Sequence, residues 1–130
     1  MVIDLPCYMD GRKLDPQYKD HAWKASCIGP AFTAIDSDGK VICCAGIMID
    51  KNGEGEAWAL FSSLTRIHYR ELYYRMKEVL NCVIDDLELK VIRQYFNITY
   101  PIEASFAGRF GFKDMGMIDR NLKLYMIQRD

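Results

Sequence analysis

The four residues Ser37-Asp38-Gly39-Lys40 constrain this chain more than any other segment. They separate Ala31–Asp36 from Val41–Ile49, two runs rich in β-branched and small apolar residues. Two such runs around Asp-Gly specify a β-hairpin, because that pair tolerates the positive φ that a tight primed turn demands. A second turn, Asp50-Lys51-Asn52-Gly53-Glu54-Gly55, leads into a third run, Glu56–Ser62. Three strands joined by short turns make an antiparallel meander.

Residues 66–88 change period. Leu72, Met76, Val79, Leu80, Val83, Ile84 and Leu87 recur at steps of three and four, which is one face of a long helix. Ser63 or Thr65 is placed to cap it. Asp85, Asp86 and Glu88 oppose the helix dipole at its far end, so the helix is expected to stop before Asp85. A fourth strand is predicted over Leu89–Phe96 and a last one over Leu122–Ile127. Between them, Pro101 suits the first turn of a short helix from Ile102 to Phe110, and Gly111 suits a left-handed stop. The order is β-β-β-α-β-α-β, an α+β fold with a mixed, mostly antiparallel sheet and packed helices. Residues 1–28 carry the weakest pattern and read as an arm with one short helix near Tyr18–Ala25.

Composition narrows the function classes. With 130 residues and half of them hydrophobic, the chain predicts one domain with a real core. Lys and Arg total 17 against 18 Asp and Glu, so no basic field points to nucleic acid. Tyr69, Tyr73 and Tyr74 with Arg66, Arg70 and Arg75 mix aromatic and basic groups, but helical spacing spreads them around a cylinder instead of along a groove. No apolar run reaches the roughly 20 residues that span a bilayer, and no membrane partner is expected. Met1–Pro6 lacks the basic start and long apolar stretch of a signal peptide, so a cytoplasmic location is expected. The five cysteines, Cys7, Cys27, Cys43, Cys44 and Cys82, show no CxxC spacing. With His21 and His68 as the two histidines, no metal site is expected. Cys43 and Cys44 should point to opposite faces of a strand as buried thiols.

Two blocks carry a family resemblance. One is Ala31-Phe32-Thr33-Ala34-Ile35, Asp38-Gly39-Lys40 and Ala45-Gly46, followed by Glu56-Ala57-Trp58-Ala59-Leu60. The other is Tyr100-Pro101-Ile102-Glu103-Ala104-Ser105-Phe106-Ala107-Gly108-Arg109-Phe110-Gly111-Phe112, followed by Gly116. With a long helix directly after the meander, the chain resembles the GNAT-type N-acetyltransferase superfamily, in particular the small GNAT-like proteins of tailed phages and prophages. The similar regions cover residues 31–127. The resemblance implies acetyl-CoA as cofactor, bound between the third and fourth strands, with an amine acceptor of unknown identity. It implies backbone contacts to the pantetheine arm at Phe61, Ser62 and Ser63, and an anion site for the pyrophosphate at Thr65, Arg66, His68 and Arg70. It makes Glu56 the candidate general base, through a water, and Trp58 a wall of the acceptor pocket.

The departures open a second class of reading. The superfamily's glycine-rich pyrophosphate loop corresponds to Ser62-Ser63-Leu64-Thr65-Arg66-Ile67-His68-Tyr69-Arg70, which has no glycine. The helix tyrosine that protonates the leaving thiolate in many members is here Ala107, while Tyr100 stands where many have an asparagine. Tyr100 is retained as a catalytic candidate beside its plainer reading as packing at the start of a helix. Glu56, Trp58 and His68 also have plainer readings, as a solvated strand-start carboxylate, a core indole and a surface imidazole. The alternative function is a non-catalytic GNAT-fold scaffold or assembly protein of phage origin, virion-associated, with a protein partner. A sheet edge left open by the short N-terminal region would suit a homodimer.

Overall fold

The computed structural model describes Lys24, residues 27–97 and residues 109–129. Strand β1 spans Ala31–Ile35, β2 Val41–Ile49 and β3 Gly55–Phe61. They form the expected antiparallel meander, with Ala45 opposite both Phe32 and Ala59. The first turn differs from expectation in type. Asp36 accepts at Oδ1 from the N–H groups of Asp38 and Lys40, 2.9 Å each, and its carbonyl accepts from Gly39 N–H at 3.0 Å. Gly39 has φ +80°, whereas Asp38 keeps a negative φ. The connection is therefore a type I turn closed by a left-handed glycine, not a primed two-residue turn. The β2–β3 turn repeats the device. Asp50 Oδ1 accepts from Asn52 and Glu54 N–H groups at 2.8 and 3.0 Å, and Gly53 has φ +74°. In both, the aspartate side chain holds the corner by satisfying backbone donors that the turn would otherwise leave to water.

β2 lies inside the meander and is its most buried strand, with Cys43 and Cys44 both shielded on their respective faces. Residues 28–30 continue the pairing beside it, since Ile47 and Ile49 donate to the carbonyls of Pro30 and Ile28 at 3.0 and 3.2 Å. That approach demands Gly29, because a Cβ there would stand 1.8 Å from the Ile47 carbonyl oxygen. Gly46 plays the same part on the strand itself: its Cβ would meet the Trp58 ring at 2.9 Å and the Pro30 oxygen at 2.6 Å.

The helix α1, Tyr69–Asp86, follows a 3-10 turn at Ser63–Arg66. It returns the chain to β4, Val91–Asn97, which pairs parallel to β3. β5, Lys113–Met117, and β6, Leu122–Gln128, complete a six-stranded sheet in the order β1-β2-β3-β4-β6-β5, antiparallel everywhere except between β3 and β4. The fold is α+β, as the sequence indicates. α1 covers one face, where Leu72 joins Ile42, Cys43 and Phe61, and Ile84 joins Ile47, Leu89, Ile92 and Phe112.

The helix runs through Asp85 and Asp86 instead of stopping before them. Arg129 pairs with Asp85, which offsets the dipole, and a Schellman closure holds the end: Leu89 N–H reaches Ile84 O at 3.0 Å and Glu88 N–H reaches Asp85 O at 3.3 Å. β5 has no expected counterpart. The short helix predicted at 102–110 falls mostly outside the described residues, as do the arm, Tyr100 and Ala107. Gly111, at its predicted end, does adopt φ +92°. Among the described residues no helix is long and apolar enough to cross a membrane, and no cluster of His, Cys, Asp and Glu could hold a metal ion.

Candidate active site

The site begins where two strands stop pairing. β3 and β4 share the pairs Gly55↔Ile92 and Glu56↔Arg93, and then their ladder ends although each strand continues for several residues. Each keeps its other neighbour throughout, β2 for β3 and β6 for β4. The parted edges present main-chain donors and acceptors toward each other, which suits an extended, amide-bearing ligand arm lying between them. Glu56 is the last β3 residue before the parting.

Strand alternation sorts the flanking side chains. Ala57 and Ile92 face α1 within the core, so Glu56, Trp58, Arg93 and Tyr95 face the other way. There, Met48, Asp50, Glu54, Glu56, Arg93 and Tyr95 line a cavity of about 230 Å³. The Arg93 guanidinium donates to the Glu54 carboxylate, and that hydrogen bond holds the arginine above its ordinary pKa. Arg93 is therefore committed to the turn residue Glu54. Among the described residues, no hydrogen bond or ion pair engages the half-buried Glu56 carboxylate, which stands at the parting. Trp58 shares this face, but its ring lies over Gly46 of β2, away from the β4 side. Its Nε1 is buried without an acceptor.

The other end of the parting leads to the start of α1. Ser62 is buried: its hydroxyl donates to Val41 O at 2.8 Å and accepts from Leu64 N–H at 3.2 Å, so Ser62 caps the 3-10 turn, and neither Ser63 nor Thr65 caps the long helix, whose N-cap is His68. Thr65, also buried, donates to Ile42 O at 3.1 Å. Both hydroxyls tie the turn to β2, which leaves any ligand contact at these positions to the main chain. Ser63 is exposed, and Phe61 is buried in the α1-side core. His68 occupies the N-cap of α1 without a side-chain cap bond, while Arg66 and Arg70 are exposed beside it. The first helical turn thus keeps donors for an anion, with two guanidinium groups nearby.

One residue of this cluster escaped sequence reasoning. Arg109 packs its guanidinium 5.2 Å from the Tyr69 ring centre, and its carbonyl accepts from the Tyr73 hydroxyl at 3.0 Å. A third cation is thereby brought to the first turns of α1 from 36 residues beyond Tyr73. In the sequence, its place just before Phe110-Gly111 marks only the close of a helix.

No family model and no curated protein sequence matches the chain. Solved structures do. The chain is similar to a spermidine N-acetyltransferase variant from Vibrio cholerae, at 13% identity and TM-score 0.64, covering 96% of this chain and 82% of that one. It is similar to the ribosomal-protein-S5-alanine acetyltransferase from Vibrio fischeri, at 12% identity and TM-score 0.67, covering 88% and 70%. It is also similar to a GNAT-family acetyltransferase from Bacillus anthracis, at 11% identity and TM-score 0.65, covering 92% and 78%. At such identities the likeness establishes the fold: this chain has the GNAT acetyltransferase fold.

Proposed function

We propose that this protein is an acyl-CoA-dependent N-acyltransferase. The observation that carries the reading is the parting of β3 from β4 directly after Glu56↔Arg93, between an acidic cavity on one face and a cationic helix start at one end. The pantetheine arm of acetyl-CoA, or of a related acyl-CoA, lies between the parted edges. Its pyrophosphate meets the turn from Thr65 to Arg70, where Arg66, Arg70 and Arg109 supply charge and the uncapped helix start supplies N–H groups.

The acceptor is a cationic primary amine, approaching from the face that carries Asp50, Glu54 and Glu56. Arg93 neutralises only part of that acidity. The ammonium gives up one proton to solvent on binding, and Glu56 takes the second, directly or through a water, as the nitrogen attacks; Glu56 passes it on to solvent. The amine nitrogen bonds to the thioester carbonyl carbon, the C–S bond breaks, and sulfur leaves as a thiolate that then takes up a proton. Tyr100 is the candidate for supplying it. CoA release, followed across a panel that includes spermidine and peptides with free amino termini, tests this reading. Glu56→Gln is expected to lower kcat/KM by roughly 100-fold, the scale of a lost general base, with CoA affinity unchanged. An undiminished rate would remove Glu56 from the chemistry.

A scaffold reading has its own support. The turn from Ser62 to Arg70 has no glycine, and two of its hydroxyls are committed to β2 carbonyls.

A further inference from the structure

On the α1 face, the parted strands border a second cavity, of about 110 Å³. It extends sideways from Gln94 and Phe96 on β4, beneath the helix, as far as Phe32 on β1. Its floor is low because three neighbouring inward positions are alanine: Ala57 and Ala59 on β3, and Ala45 opposite Ala59 on β2. Its roof is Met76, Leu80 and Val83 of α1, flexible or branched aliphatics left only half-buried by the sheet. No charged side chain is among the described lining residues, and Gln94, at the strand parting, supplies the one side-chain amide.

This shape bears on which acyl group the protein carries. A two-carbon acyl group would end at the parting and leave the apolar space under α1 unfilled. At about 30 Å³ for each water-sized group, 110 Å³ holds three to four methylene-sized groups. A pocket of that polarity repels water-soluble heads and gains by covering an alkyl chain. We propose that the cavity beneath α1 is an acyl-chain pocket, and that the preferred donor carries a linear saturated acyl group of about four to six carbons. The proposal rests on the thioester lying between β3 and β4. Its carbonyl carbon then sits at the parting and its chain turns under the helix, past Gln94 and over the alanine floor. Met76 adapts the roof to chain length, since an unbranched thioether rotates at little cost.

The test uses the intact protein and two thioester series, acetyl, butanoyl and hexanoyl, carried on CoA and on N-acetylcysteamine. The second carrier lacks the nucleotide and so probes the chain pocket apart from the CoA site. Affinity is expected to rise by roughly threefold to fourfold per added methylene through hexanoyl, in both series, the increment of burying CH₂ groups. Ala59→Leu raises the floor and is expected to bring hexanoyl down to the acetyl level while leaving free CoA unaffected. Ala45→Val makes the same point by a smaller step if the leucine variant does not fold. Affinity that stays flat or falls from acetyl to hexanoyl overturns the pocket while leaving the CoA reading intact. A rise confined to the N-acetylcysteamine series, with no binding of CoA, supports the pocket and overturns the CoA reading. No binding in either series overturns both.

Discussion

Position 43 shows how far this sheet controls the chemistry of one atom. The Cys43 thiol has no exposed surface, and burial, with Cys44 adjacent, pushes its pKa from 9.0 up to about 12. At pH 8 it is protonated and inert, since the thiolate is the nucleophile. A thiol-specific chromogenic reagent at pH 8 is expected to label exposed Cys27 and Cys82 in the native protein, and Cys43 only after unfolding. The raised pKa also carries a sign for stability. Between about 9 and 12 the folded chain holds this proton and the unfolded chain does not, so stability falls as pH rises through that window, by up to about 1.4 kcal/mol per pH unit. Denaturant titrations at pH 8 and pH 10 on wild type and Cys43→Ala check it, the variant being expected to lose less. The buried character of these thiols was legible from two cysteines inside a strand-like run. Arg109 was not, because its partner Tyr69 lies 40 residues away and only the folded chain joins them.

At the scale of elements, the end of α1 is built against local preference. Glu88 has φ +52°, among the described residues the one non-glycine in the left-handed region. It sits at the Schellman position where glycine is usual, held by Leu89 packing with Ile84 in the core. Left-handed backbone costs a residue with a Cβ about 1–2 kcal/mol. Glu88→Gly is therefore expected to stabilise the protein by about 1 kcal/mol, seen as a rise of roughly 3–5 °C in Tm. A fall would mean that the Glu88 side chain contributes more than its backbone costs. The same helix end explains why the sequence-based limit fell short: charge opposed to the dipole argued for an early stop, but long-range packing and Arg129 carry the helix on. The limits of β2 were legible to the residue, from a continuous apolar run bounded by two turns. β5 was not, because Lys-Asp-Met-Gly-Met neither alternates nor favours strand. It pairs because β6 offers an edge and Lys123 meets Asp114 across it. The hairpin corners were legible as turns but not by type, since their geometry follows from the aspartate that opens each one and not only from the glycine.

For the whole molecule, the decisive feature is non-local. That three meander strands precede a helix can be read along the chain. That β4 joins β3 in parallel for two residues and then leaves it cannot, because no local pattern encodes a ladder that stops. The parting places Glu56 at its apex, the cations Arg66, Arg70 and Arg109 at the start of α1, and apolar space beneath the helix. An acyl-CoA would join these regions, from its anionic end to its acyl end. The most direct measurement is CoA binding by calorimetry on wild type and on the Arg66→Ala/Arg70→Ala double variant. Micromolar affinity that weakens at least tenfold in the double variant is expected, since two charge-assisted contacts to the pyrophosphate would be lost. Absence of binding at millimolar CoA would contradict the acyltransferase reading and leave the fold as a scaffold.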